Sequence, residues 1–92
     1  MTSVTFTWKT EGQLRRYVFQ RSGGPSHSST NVPVAHFELE PGIYDMLWWV
    51  IGTPGPSPIL DIEANGEMLR SIVDGITDNG TGSGPDRFEV PA

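Results

Sequence analysis

The sequence predicts an all-β domain, a two-layer antiparallel β-sandwich of about seven strands. Three observations lead there. Short runs of β-branched and aromatic residues alternate with polar ones at a period of two, as half-buried strands do. Turn residues separate these runs, with 11 glycines and 8 prolines spread along the chain, a density that excludes long helices. No heptad or internal repeat offers a competing architecture. The 92 residues form one domain, 1–92. With no cysteine, neither a disulfide nor a Cys-ligated zinc supplements the modest core of so short a chain. Packing must suffice, helped by self-association or a bound ion.

The first run, Val4-Thr5-Phe6-Thr7-Trp8-Lys9, alternates cleanly. If Glu11-Gly12 closes a two-residue hairpin, Trp8 falls opposite Arg15, Phe6 opposite Tyr17 and Val4 opposite Phe19. That register collects the aromatics on one face and leaves Leu14, Arg16 and Val18 on the other. Residues 21–32 are Ser- and Gly-rich and are expected to be a disordered loop. A third strand runs from Val34 to Glu40 with Ala35, Phe37 and Leu39 inward. Pro41-Gly42 suits a turn, because Pro presets its backbone angle and Gly accepts a positive one. The fourth strand, Ile43 to Ile51, turns Tyr44, Met46, Trp48 and Val50 to the core. A hairpin at Pro41-Gly42 would set Leu39 against Tyr44, Phe37 against Met46 and Ala35 against Trp48.

The proline-rich segment 52–58 suits a crossing between sheets. Asn65-Gly66 is the strongest hairpin signal. It joins Ile59–Ala64 to Glu67–Val73 and sets Ala64 opposite Glu67, Ile62 opposite Leu69 and Asp61 opposite Arg70. Residues 74–86 read as a second loop, and Arg87 to Val90 as a short closing strand. The segment Leu39-Glu40-Pro41-Gly42-Ile43-Tyr44, followed by Trp48, Val50 and Gly52, resembles the Pro-Gly-x-Tyr hairpins of many bacterial immunoglobulin-like sandwiches. The resemblance implies an immunoglobulin-like form of the sandwich. It covers a short stretch, and no family is assigned from it.

The formal net charge of −5 excludes a binder of nucleic-acid phosphates, which would present dense Lys and Arg. Arg15 and Arg16 are the only adjacent basic pair. The start of the chain passes directly into a strand pattern without a basic segment and apolar run, so no signal peptide is expected. If Met1 is native, the expected compartment is the cytoplasm. The longest nearly apolar stretch, Ile43 to Ile51, contains Asp45 and is too short to span a bilayer, so no membrane insertion is expected.

The fourth strand is the most informative. Its core face is already filled, yet its other face carries Leu47, Trp49 and Ile51. An outer sheet face should be wet, and an apolar line there marks a partner or ligand surface. The hairpin register adds His36, Glu38 and Asp45 to this face, with Glu38 opposite Asp45. Two adjacent carboxylates repel and call for a cation or an Arg. Beside Trp49 they would also make a sugar platform. Asp74, Asp78, Asn79 and Asp86 lie in an oxygen-rich, Gly-rich loop of the kind that suits Ca²⁺, although the spacing is not that of an EF-hand. Gly80-Thr81-Gly82-Ser83-Gly84 lacks the Gly-Lys-Ser/Thr ending of a phosphate cradle. His27 among serines does not make a triad, and a flat sheet face excludes little water. The expectation is therefore a non-catalytic interaction module that self-associates, as a homo-oligomer, or docks a protein partner. No cofactor is required. The alternative is a lectin-like carbohydrate binder, calcium-assisted. A hydrolase using Glu38 and Asp45 ranks behind both.

Overall fold

A computed structural model describes residues 1–52, 59–73 and 76–92. Eight strands follow one another: β1 (Thr2–Trp8), β2 (Gly12–Arg21), β3 (Ser26–Thr30), β4 (Val34–Leu39), β5 (Gly42–Gly52), β6 (Leu60–Ala64), β7 (Glu67–Ile72) and β8 (Thr81–Val90). They form two antiparallel sheets of four strands. The first sheet has the order β4-β1-β6-β7, the second β3-β2-β5-β8. Among the described residues no helix is long and apolar enough to cross a membrane.

The alternating strands bury what the sequence says they bury. Val4, Phe6 and Trp8 of β1, Tyr17 and Phe19 of β2, Tyr44, Met46, Trp48 and Val50 of β5, and Phe88 and Val90 of β8 all lie in one core. Leu60, Ile62 and Ala64 of β6 join them.

The neighbours of β1 differ from the sequence expectation. β1 and β2 do not form a hairpin. β1 pairs with β4 and β6, while β2 pairs with β3 and β5. The segment around Glu11 is therefore an arch between sheets. Phe6 meets Tyr17 and Phe19 through the core rather than beside them. Their ring centroids lie 4.7 and 4.8 Å from that of Phe6, nearly parallel. Both arrangements gather the aromatics, but only the arch puts two sheets face to face and seals both inner faces from water.

The β4–β5 connection is a second arch. Leu39 pairs with Thr2 and Phe37 with Val4 in the first sheet, whereas Tyr44 pairs with Arg21 and Trp48 with Tyr17 in the second. The Tyr44 hydroxyl donates to the Glu40 carbonyl (2.8 Å), and the Arg21 guanidinium donates to the Pro41 carbonyl (2.8 Å). These two bonds satisfy carbonyls that a hairpin ladder would otherwise have used.

Two expected loops contain strands. β3 lies inside the polar segment 21–32 and pairs with β2 from Arg16↔Thr30 to Gln20↔Ser26. β8 begins inside the second loop, at Thr81, and pairs with β5 over its whole length. Its inward positions include Gly82 and Gly84. A Cβ at Gly84 would stand 3.4 Å from the Trp48 indole nitrogen, an ordinary contact, so that ring packs directly over the β8 backbone. The β6–β7 hairpin is as expected, with Asn65 (φ 52°) and Gly66 (φ 77°) both left-handed, as a type I′ turn requires. A bulge shifts its register beyond Glu63, so Asp61 opposes Ser71, and Ile62 opposes Arg70. Asp61 accepts from the Ser71 hydroxyl (2.6 Å) and faces Lys9 at 3.8 Å.

Candidate functional site

The two outer faces of the sandwich differ in kind. The outer face of the first sheet carries Thr5 and Thr7 of β1, His36 and Glu38 of β4, Asp61 and Glu63 of β6, and Ser71 of β7, all at positions alternate to the buried ones. It is mostly the polar face an antiparallel sheet is expected to show, with Asp61 buried within it and the exposed Val34 and Met68 standing apart on the edge strands β4 and β7. The outer face of the second sheet is apolar along its middle. Leu47 and Ile51 are 47% and 41% exposed, and Ile43, at the far end of β5, is 51% exposed. Trp49 is half-buried between Leu47 and Ile51.

Cross-strand pairing extends this patch. Val18, Leu47 and Pro85 stand in one row, Arg16, Trp49 and Ser83 in the next, and Leu14, Ile51 and Thr81 in the third. The Arg16 guanidinium lies over the Trp49 ring, 5.3 Å from its centroid. One shallow groove of about 570 Å³ runs beside Val18, Leu47 and Pro85. Another of about 440 Å³ lies between Trp49, Ile51 and Thr81. The patch ends at a charged row, Gln20, Asp45 and Arg87, in which Arg87 Nε donates to Asp45 Oδ1 at 2.9 Å.

The expected residues therefore fall into three places. Leu47, Trp49, Ile51 and Asp45 share the outer face of the second sheet. His36 and Glu38 do not join them, because the β4–β5 arch sends β4 to the other sheet. His36 instead stands opposite Thr5, whose hydroxyl lies 3.0 Å from its Nδ1, and Glu38 opposes Ser3. No Glu38–Asp45 carboxylate pair exists. Asp45 has Arg87 as its cross-strand partner, so the repulsion inferred from the hairpin register does not arise.

The oxygen-rich loop is also divided. Asp74 and the 53–58 connection lie outside the described residues. Asp78 and Asn79 sit in a tight turn in which the Gly80 N–H donates to the Thr77 carbonyl (2.9 Å). The Asn79 side-chain oxygen accepts from the hydroxyls of Thr77 and Thr81. Asp86 lies well along β8, roughly 17 Å of extended chain beyond Thr81, and is bonded to Arg70 of β7. Among the described residues no group of three or more His, Cys, Asp or Glu side chains is placed to hold a metal ion.

Leu14, Val18 and Pro85 belong to the patch but are absent from the sequence-derived site. Leu14 and Val18 were legible as the outer positions of an alternating strand; what was missing was their sheet partner. Pro85 carried no signal, since its segment read as loop. Comparison of the chain with protein-family models, with characterised proteins and with solved structures gives no match. The functional reading rests on the geometry alone.

Proposed function

We propose that the chain is a non-catalytic interaction module that self-associates through the outer face of its second sheet. The observation that carries this reading is the asymmetry between the faces. The first sheet exposes only separated apolar side chains, Val34 and Met68, on its two edge strands, while the second exposes Leu47 and Ile51 in one line around a half-buried Trp49 on an inner strand. Covering that patch removes apolar surface from water at about 25 cal/mol per Å². A second copy is the occupant the patch fits. The apolar rows are bordered by a row carrying both signs, Asp45 and Arg87, and a two-fold interface must be complementary to itself. An acidic or basic partner would instead call for a border of one sign.

The carbohydrate reading has less support. Arg16 already covers Trp49, and His36 and Glu38 lie on the other sheet. The strand order supports the immunoglobulin-like form of the fold. β8-β5-β2-β3 faces β4-β1, and the Tyr44 hydroxyl bonds back to the carbonyl four residues upstream, as in the tyrosine corner of that fold. On this reading β6 occupies the place beside β1 that the first strand holds in an immunoglobulin domain.

The test is the mass of the particle across a concentration series by light scattering. The wild-type chain should exceed the monomer mass of 10.1 kDa. Leu47→Lys should return it to that mass while the far-ultraviolet spectrum stays that of a folded β protein. A wild-type chain that remains monomeric at the highest concentration would remove the proposal.

A further inference from the structure

The outer positions of β5 read Ile43, Asp45, Leu47, Trp49 and Ile51, and the two isoleucines and Leu47 are exposed. Leu47 stands at the middle of this line, with an isoleucine at equal distance on either side. Its row, Val18, Leu47 and Pro85, is the one row across β2, β5 and β8 on this face without a polar side chain.

The charges lie unequally about that row. On one side come Asp45 and Arg87, bonded to each other, with side chains 69% and 68% exposed. On the other side comes Arg16, whose guanidinium lies over the Trp49 ring, 5.3 Å from its centroid. Among the described residues the ion pairs use Lys9, Arg70 and Arg87, so Arg16 has no carboxylate partner within its own copy.

A face that packs on its own copy does so about a two-fold axis, and like charges decide where that axis can lie. An axis running along β5 lays each row on itself and sets Asp45 against Asp45 of the second copy. An axis crossing the strands at Trp49 sets Arg16 against Arg16. An axis crossing the strands at Leu47 does neither. It lays the apolar row on itself, Ile43 on Ile51, Glu89 on Thr81 and Arg87 on Ser83, following the observed register. It also carries Asp45 to Trp49 of the second copy, where the Arg16 guanidinium lies.

We infer that two copies pair with their β5 strands antiparallel about an axis at Leu47, and that Asp45 of each copy binds Arg16 of the other. This rests on the self-association proposed above and supplies its register. The contact is made twice per pair, as a charge-assisted hydrogen bond beside apolar rows that exclude water. A copy displaced by one row loses both contacts together. The apolar rows thus supply the attraction, and the charges select one alignment.

The test uses two variants of the full chain, Arg16→Glu and Asp45→Arg. Both replace outer-face side chains and leave the core untouched. Alone, each variant puts like charges together at both contacts and should raise the dissociation constant of the pair about a hundredfold or more. Mixed in equal amounts, the two variants should pair with each other about tenfold or more tightly than either pairs with itself. Each mixed pair has one native contact and one reversed contact, both attractive. Native mass spectrometry with one variant nitrogen-15-labelled identifies the mixed pair by its mass. Should a reversed variant fail to fold, Arg16→Gln and Asp45→Asn serve in a double-mutant cycle on pairing affinity, with a coupling of about tenfold or more expected. A wild-type chain that stays monomeric would remove self-association itself. A wild type that pairs would overturn this register alone in any of three cases: Arg16→Glu still pairs with itself, Asp45→Arg does so, or the mixture stays monomeric. Absence of coupling in the cycle would do the same.

Discussion

Arg70 of β7 and Asp86 of β8 bond to each other from one sheet to the other, Nε to Oδ1 at 2.8 Å and Nη2 to Oδ2 at 3.3 Å. β7 and β8 are edge strands of different sheets, so this two-pronged contact closes a flank of the sandwich. The hydrogen bond that Arg70 donates to Asp86, and then the charge of Asp86, raise the pKa of Arg70. Asp86 also accepts the Arg87 backbone N–H at 2.8 Å, which fixes the carboxylate. Arg70 is about half exposed, and water screens the pair. A double-mutant cycle with Arg70→Gln and Asp86→Asn should give a coupling of about 0.5–1 kcal/mol in urea unfolding. A coupling near zero would show that the flank is closed by apolar contact alone.

Phe6 is the keystone of the core. It is fully buried, stacks on Tyr17 and Phe19, and meets Phe37 and Phe88 edge-on at 5.3 and 5.5 Å. Phe6→Ala should cost about 3–5 kcal/mol, a large share of the stability of a domain this small. The measurement is the midpoint of chemical unfolding. A loss below about 1 kcal/mol would mean that the sheets do not meet at this ring.

Tyr17 makes stability depend on alkaline pH. Burial pushes its hydroxyl up to about 12 from an ordinary 10.0, and the nearby Ser29 hydroxyl pulls it back in part. The folded state thus holds this proton more tightly than the unfolded state does. Its contribution is fully present below pH 10 and is lost as the pH rises toward about 12. Unfolding free energy should fall across that window, and Tyr17→Phe should remove this part of the slope. An unchanged slope in the variant would assign the loss to other groups.

Two glycines separate backbone contact from side-chain contact. A Cβ at Gly12 would lie 2.1 Å from the Ile51 carbonyl oxygen, so the backbone must move to admit it. Gly12→Ala should cost about 1–3 kcal/mol. At Gly84 the nearest atom is 3.4 Å away, in an ordinary contact with the Trp48 ring. Gly84→Ala should be neutral or stabilise by about 0.4–1 kcal/mol, by restricting the unfolded chain. Thermal unfolding of the two variants side by side measures the difference, and equal losses would contradict the close approach at Gly12.

Alternation in the sequence tells which residues of a strand face inward, and for β1, β2, β4 and β5 it did so correctly. It does not tell which strand lies alongside. A short connection such as Thr10-Glu11 or Glu40-Pro41 can close a hairpin or arch between sheets, and both place the same apolar residues in the core. For this reason the Leu47, Trp49 and Ile51 patch was legible, while His36 and Glu38 were assigned to the wrong side. The Asn65-Gly66 turn escaped this ambiguity, because left-handed angles at both residues specify a hairpin. β3 and β8 were hidden for a different reason. Backbone pairing needs no apolar side chain, and Ser28, Gly82 and Gly84 occupy ladder positions without one.

The arches also set the order in which the chain can be completed during synthesis. β1 leaves the ribosome first among the strands, yet its two partners are β4 and β6. Val4, Phe6 and Trp8 must wait through the synthesis of β2 and β3 before either edge of their strand can pair. Across that interval the most aromatic segment of the first sheet has no sheet to belong to. A nascent chain of this topology thus presents an aromatic strand early and shelters it late.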